Sequence, residues 1–107
     1  MSKVYVMNKS GHDFSDAEKH GELVYLTEGK HNIFSTGAMI QDLKNKLRDF
    51  KPSEDFLLMS GSPFVAASAM SIILTKIRSV NVLLFDAKNR VYVPRTVNYG
   101  GNDGGQK

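Results

Sequence analysis

Phe56-Leu57-Leu58-Met59-Ser60-Gly61-Ser62-Pro63 is the stretch on which the fold turns. Four consecutive apolar residues suit a strand covered on both faces, as in a parallel sheet, rather than the alternating strand of a half-exposed one. Ser60 and Gly61 end it with turn chemistry. Ser62 can then cap a helix whose first position is Pro63, where a missing N–H is no loss and φ is already helical. The helix expected from Phe64 to about Ser79 is apolar almost all round. It carries the small residues Ala66, Ala67, Ser68, Ala69 and Ser71, so it packs closely on more than one side. A second continuous apolar run, Val80 to Phe85, follows. Strand, helix and strand of this kind make a βαβ unit.

The same grammar extends upstream. Lys3 to Met7 is a short β-branched and aromatic run stopped by Asn8-Lys9-Ser10-Gly11. Ser15 with Glu18 three positions on is a capping-box signature, and Gly21 supplies a stop, so Ser15–His20 forms little more than a turn or two. Glu22 to Thr27 reads as a second strand. Ala38, Met39, Ile40, Leu43, Leu47 and Phe50 recur at helical spacing, with Ser35 or Thr36 as cap and Pro52 as limit. Downstream, the turn Ala87–Arg90 leads into Val91-Tyr92-Val93-Pro94, which Pro94 assigns to a sheet edge.

These elements predict an α/β fold: a small Rossmann-like, mostly parallel five-stranded sheet in order 2-1-3-4-5, with strand 5 an antiparallel edge and two long helices. A single domain is expected over residues 1–97. Asn98 to Lys107, with Gly100, Gly101, Gly104 and Gly105, is expected to be a flexible tail, because it cannot bury enough surface to offset its ordering entropy.

Two consequences follow from the strand order. The chain turns one way after strand 1 and the other after strand 2, so a switch point lies between strands 1 and 3, and ligands of open α/β sheets bind at such a point, outside the carboxyl ends of the strands. Both long helices also fall on one face, while Ser15–His20 is short and polar. The other face then lacks a roof, and a symmetric homodimer is expected, with Met70, Ile73 or Ile77 as contacts if the second long helix is used.

Composition narrows the classes. The 107 residues include no cysteine and no tryptophan; 41% are apolar and 23% charged. Without cysteine there is no disulfide framework, thiolate zinc site or cysteine nucleophile. No apolar run spans a bilayer, and Met1-Ser2-Lys3-Val4-Tyr5 does not resemble a secretory leader, so a cytoplasmic protein is expected. The net charge of +3 is modest, and Lys44, Lys46, Arg48 and Lys51 are interrupted by Asp42 and Asp49 and lack interleaved exposed aromatics. Nucleic acid is therefore not the expected partner.

At the switch point the candidate ligand-binding residues are Asn8, Lys9, Ser10 and Gly11 from one segment and Ser60, Gly61 and Ser62 from the other. The second segment opens a helix, whose free N–H groups suit a phosphate or carboxylate. Ser62 as a plain N-cap and Gly61 as a turn residue account for the same pattern. No Walker motif and no Gly-x-Gly-x-x-Gly is present. His12, Asp13, Asp16 and His20 form the densest cluster of functional groups, and His12 with Asp13 would carry any acid–base chemistry. Capping and the helix dipole explain Asp16 and His20 more simply than a metal does, so neither a metal nor a cofactor is assigned.

Asn8-Lys9-Ser10-Gly11-His12-Asp13-Phe14-Ser15-Asp16-Ala17-Glu18, Leu58-Met59-Ser60-Gly61-Ser62-Pro63 and Val80-Asn81-Val82-Leu83-Leu84-Phe85-Asp86 together resemble a family of small tailed-bacteriophage proteins. The resemblance covers about residues 3–97. It implies a compact protein made in bacterial cytoplasm that acts on host machinery or host defence. The expected function is non-enzymatic binding of a nucleotide-like anionic ligand or of a host protein. The alternatives are a small hydrolase or phosphodiesterase working through the His12–Asp13 loop, and a structural component of the virion.

Overall fold

The computed structural model describes residues 2–9, 12–28 and 35–99. Its elements are β1 (Lys3–Val6), a 3-10 segment (Ser15–His20), β2 (Glu22–Tyr25), α1 (Thr36–Lys46), β3 (Phe56–Leu58), α2 (Pro63–Leu74), β4 (Ser79–Asp86) and β5 (Val91–Asn98). The strands form one sheet in the order β2-β1-β3-β4-β5. The pairs β1–β2, β1–β3 and β3–β4 are parallel, and β4–β5 is antiparallel. This is the expected α/β sheet. The crossover direction reverses after β2, which places α1 and α2 on the face opposite the 3-10 segment, as right-handed connections require.

Alternation along the strands divides the interior into two cores. On the helical face, Tyr5, Met7, Leu57, Val80 and Val82 pack against Met39, Leu43 and Leu47 from α1 and its end, and Val65, Ala69 and Ile73 from α2. On the other face, Val4, Val6, Leu58 and Leu83 pack with Phe14, Ala17 and Tyr92. Val4, Val6, Leu58 and Leu83 are fully buried within the single chain. The centre of the face expected to lack a roof is therefore covered within the chain, and Phe85 at its margin stays exposed.

The roof has two parts that length and polarity did not announce. Phe14, just ahead of the 3-10 segment, and Ala17 within it supply apolar surface. The far end of the β4–β5 hairpin supplies the rest. Tyr92 lies 5.1 Å from Phe85 and 6.5 Å from Phe14, ring centroid to centroid, in tilted pairs. The hairpin is fixed there by its own backbone. Asp16 Oδ2 accepts the Tyr92 N–H at 2.8 Å, and His20 Nε2 lies 3.2 Å from the Tyr92 carbonyl oxygen. Both main-chain groups of one β5 residue are thereby satisfied away from the ladder, which blunts the edge strand at that point.

Boundaries shift where side chains intervene. α2 stops at Leu74 rather than near Ser79, with the Thr75 hydroxyl donating to the Ile72 carbonyl at 2.7 Å. β5 runs beyond Pro94 to Asn98, and Tyr99 N–H donates to the Arg78 carbonyl at 2.6 Å. Asn98 thus belongs to the sheet, opposite Ser79, and the rest of the expected tail, 100–107, lies outside the described residues. Gly21 ends the 3-10 segment as expected, and a side chain there would have no room: a Cβ would sit 2.6 Å from the Ser2 carbonyl oxygen. Among the described residues, no helix is long and apolar enough to cross a membrane.

Candidate functional site

Val6 of β1 and Leu58 of β3 are paired in register, so Met7-Asn8-Lys9 and Met59-Ser60-Gly61-Ser62 leave the sheet from adjacent carboxyl ends. The switch point therefore forms where the strand order requires. Its polar side chains, however, are largely engaged in holding the fold. The Thr27 hydroxyl lies 2.7 Å from Asn8 Oδ1 and 2.8 Å from the Met7 carbonyl oxygen. Lys9 N–H donates to the Thr27 carbonyl at 2.8 Å, and its ammonium lies 5.7 Å from the centre of the Tyr25 ring. Ser62 is the N-cap of α2, its Oγ accepting the Val65 N–H at 3.4 Å, with Pro63 at the first turn. Ser60 is half-buried. Gly61 is exposed in the left-handed region (φ 69°), with open space where a Cβ would stand. Ser10 and Gly11 lie outside the described residues.

The second sequence cluster is likewise drawn into local structure. His12 and Asp13 are exposed. Asp13 Oδ1 accepts the Ser15 N–H at 2.9 Å, and bonds from the Ser15 side chain and backbone hold this carboxyl below its usual range. Asp16 is lowered chiefly by the Tyr92 N–H and then by Lys19, whose ammonium is 3.1 Å away. Burial, then Asp16 and Asp13, pushes the Tyr92 phenol up. Asp16 and His20, four residues apart, both address the Tyr92 backbone rather than a common point in solvent. Among the described residues, no group of three or more histidines and carboxylates is placed to hold a metal ion.

A buried carboxylate stands where no local sequence pattern marks it. Asp55 is 1% exposed and accepts the Lys3 N–H at 2.9 Å and the Lys51 N–H at 2.8 Å, tying the start of β1 to the loop before β3. Nothing in the string Pro52-Ser53-Glu54-Asp55 separates this aspartate from a solvated one.

A further concavity lies elsewhere, between α1 and α2. It is a groove of about 820 Å³. Ile40, Phe64, Ala67 and Ile72 give it an apolar lining, Ser68 and Ser71 keep one wall low, and Lys44, Arg48 and Lys76 supply charge. Phe64 is 42% exposed. The all-round apolar character of this helix pointed to an outward contact surface but not to its residues. Ile73, offered as a contact, is buried against the sheet, and Met70 and Ile77 are partly buried against the same core. With Val65, Ala69 and Ile73 inward at four-residue spacing, Phe64, Ala67 and Ser71 face out.

Fold and groove together define a small α/β protein with a core on each face of one sheet and a basic-rimmed apolar groove on its helical layer. The family model described as phage Pam3 gp32-like protein matches residues 2–99, and the chain belongs to that phage protein family. Neither a curated protein nor a solved structure matches it.

Proposed function

We propose that this phage protein is a non-enzymatic binding protein that acts in the bacterial cytoplasm by engaging a host protein through the α1–α2 face. The observation that carries the proposal is the groove itself. It keeps a large aromatic ring, Phe64, half in water, and it gathers that ring with Ile40, Ala67 and Ile72 into one concave surface, whereas the exposed Leu84 and Phe85 of β4 line no such groove. Exposed apolar surface rimmed by polar groups is the usual mark of a protein-contact site. The polar groups at the switch point support the same reading from the other side, since Asn8, Asp13 and Ser62 already have partners within the chain.

An affinity comparison in host lysate tests it. Wild-type protein retains a specific host protein, and Ala67→Glu, which places a long charged side chain in the groove, loses it while keeping the wild-type circular dichroism spectrum. Retention unchanged by Ala67→Glu contradicts the proposal. A nucleotide-like anion at the head of α2 is the second reading, favoured by the open, left-handed Gly61 beside the Ser62 cap. A rise in melting temperature with nucleotides, lost in Gly61→Val, would favour it over the first.

A further inference from the structure

We infer that the α1–α2 groove receives an acidic amphipathic helix of its partner. The inference rests on the binding-protein reading above and adds the chemistry of what is bound. Its first support is charge. Lys44, Arg48 and Lys76 border the groove, and among the described residues no acidic one lines it. A partner segment with carboxylates on its flanks meets complementary charge, whereas a basic one meets repulsion.

Shape is the second support. The lining positions on α2 run from Phe64 to Ile72, about 12 Å along a helical rise or about two turns, and Thr75 and Lys76 extend the wall just past its end. Ala67 and Ser71 leave the wall low enough for a third helix to approach closely, and Ile40 and Ile72 offer apolar surface to a stripe of Leu or Ile at i, i+3, i+4 and i+7.

The same features discriminate among occupants. A second copy docking face to face about a two-fold axis would bring two basic-rimmed patches together, with no acidic side chain among the described lining residues of either to neutralise them. A phosphate backbone would satisfy the cations but leave the apolar lining and Phe64 in water. An acidic amphipathic helix satisfies both.

The test uses the full chain and two labelled peptides of about four turns. Both carry Leu along one face; one is flanked by Glu and its twin by Lys. Fluorescence anisotropy at low salt should show the Glu peptide binding about tenfold more tightly than the Lys peptide, the effect of three exposed ion pairs of ordinary strength. In the double variant Lys44→Glu, Arg48→Glu the preference should reverse. Phe64→Ser should weaken both peptides without altering the circular dichroism spectrum. Equal binding of the two peptides, no binding of either, displacement of the Glu peptide by single-stranded DNA, or dimerisation of the chain through this face would each overturn the inference. Retention of a host protein that depends on Ala67, without a preference for the Glu peptide, would overturn the helix chemistry and leave the binding-protein reading standing. Loss of that dependence would remove the reading itself.

Discussion

Replacing Asp55 by alanine removes one side chain and leaves two main-chain donors without their acceptor. The carboxylate is 1% exposed and receives the N–H groups of Lys3, 52 residues away, and of Lys51, four away, at 2.9 and 2.8 Å. A hydrogen bond to a charged acceptor contributes about 1.5–3 kcal/mol. Lys3 is half-buried and Lys51 exposed, so water can partly replace the lost partner, and the lower end of that range applies to each bond. Asp55→Ala should therefore cost about 3 kcal/mol, a large part of the roughly 5–15 kcal/mol that holds a domain of this size together. Asp55→Asn keeps one oxygen and turns an NH2 group toward the other donor, so it should lose at least half as much. Urea unfolding at neutral pH reads both, with an unchanged m-value confirming that the exposed surface is the same. A loss below about 0.5 kcal/mol for the alanine variant would refute the view that this carboxylate ties β1 to the loop before β3.

Asp13, Asp16 and Asp86 are all held below the usual carboxylate range by hydrogen bonds. Their contribution is complete above the unfolded value near 4, and it is lost as pH falls from there through the lower folded values. Thermal melts taken toward acid should show this decline, and Asp16→Asn should flatten part of it; an identical acid limb in that variant would contradict the Asp16–Tyr92 contact. Gly21→Ala, which drives a Cβ to 2.6 Å from the Ser2 carbonyl oxygen, should cost about 2–4 kcal/mol in chemical denaturation. Gly61→Ala, in open space, should cost only about 1 kcal/mol from its left-handed backbone, and equal losses would deny the close approach at Gly21. Ile73→Ala should lose about 2–4 kcal/mol and Ser71→Glu less than about 0.5, by urea unfolding; the reverse order would mean that α2 presents a different face to the sheet.

The strand order was legible because continuous apolar runs such as Phe56–Met59 and Val80–Phe85 are bounded by turn residues, and Pro94 can stand only at an edge or a bulge. The roof over the second face was not legible. It depends on contacts between Asp16, Phe14 and Tyr92, more than seventy residues apart, and a local reading of Ser15–His20 sees only its polar side chains. The expected Ser15–Glu18 capping box does not form, since Phe14 holds the N-cap position with no side-chain cap bond, and Asp16 and His20 take a structural role by holding the Tyr92 backbone instead. The switch-point residues could be located from topology. Their engagement could not, since the hydroxyl beside Asn8 comes from Thr27, nineteen positions away. The groove was half legible. A helix apolar all round announces an outer contact surface, but without a polar side there is no periodicity to tell Ile73 from Ser71.

The most direct measurement of the central claim is photocrosslinking in infected or expressing host cells, with a benzophenone amino acid placed at Ala67 in the groove and, separately, at Gly61 in the switch-point loop. The account predicts a discrete crosslinked host protein from Ala67, suppressed by Lys44→Glu with Arg48→Glu, and none from Gly61. A crosslink from Gly61 alone, or none from Ala67 in cells where the protein is folded and abundant, would contradict it.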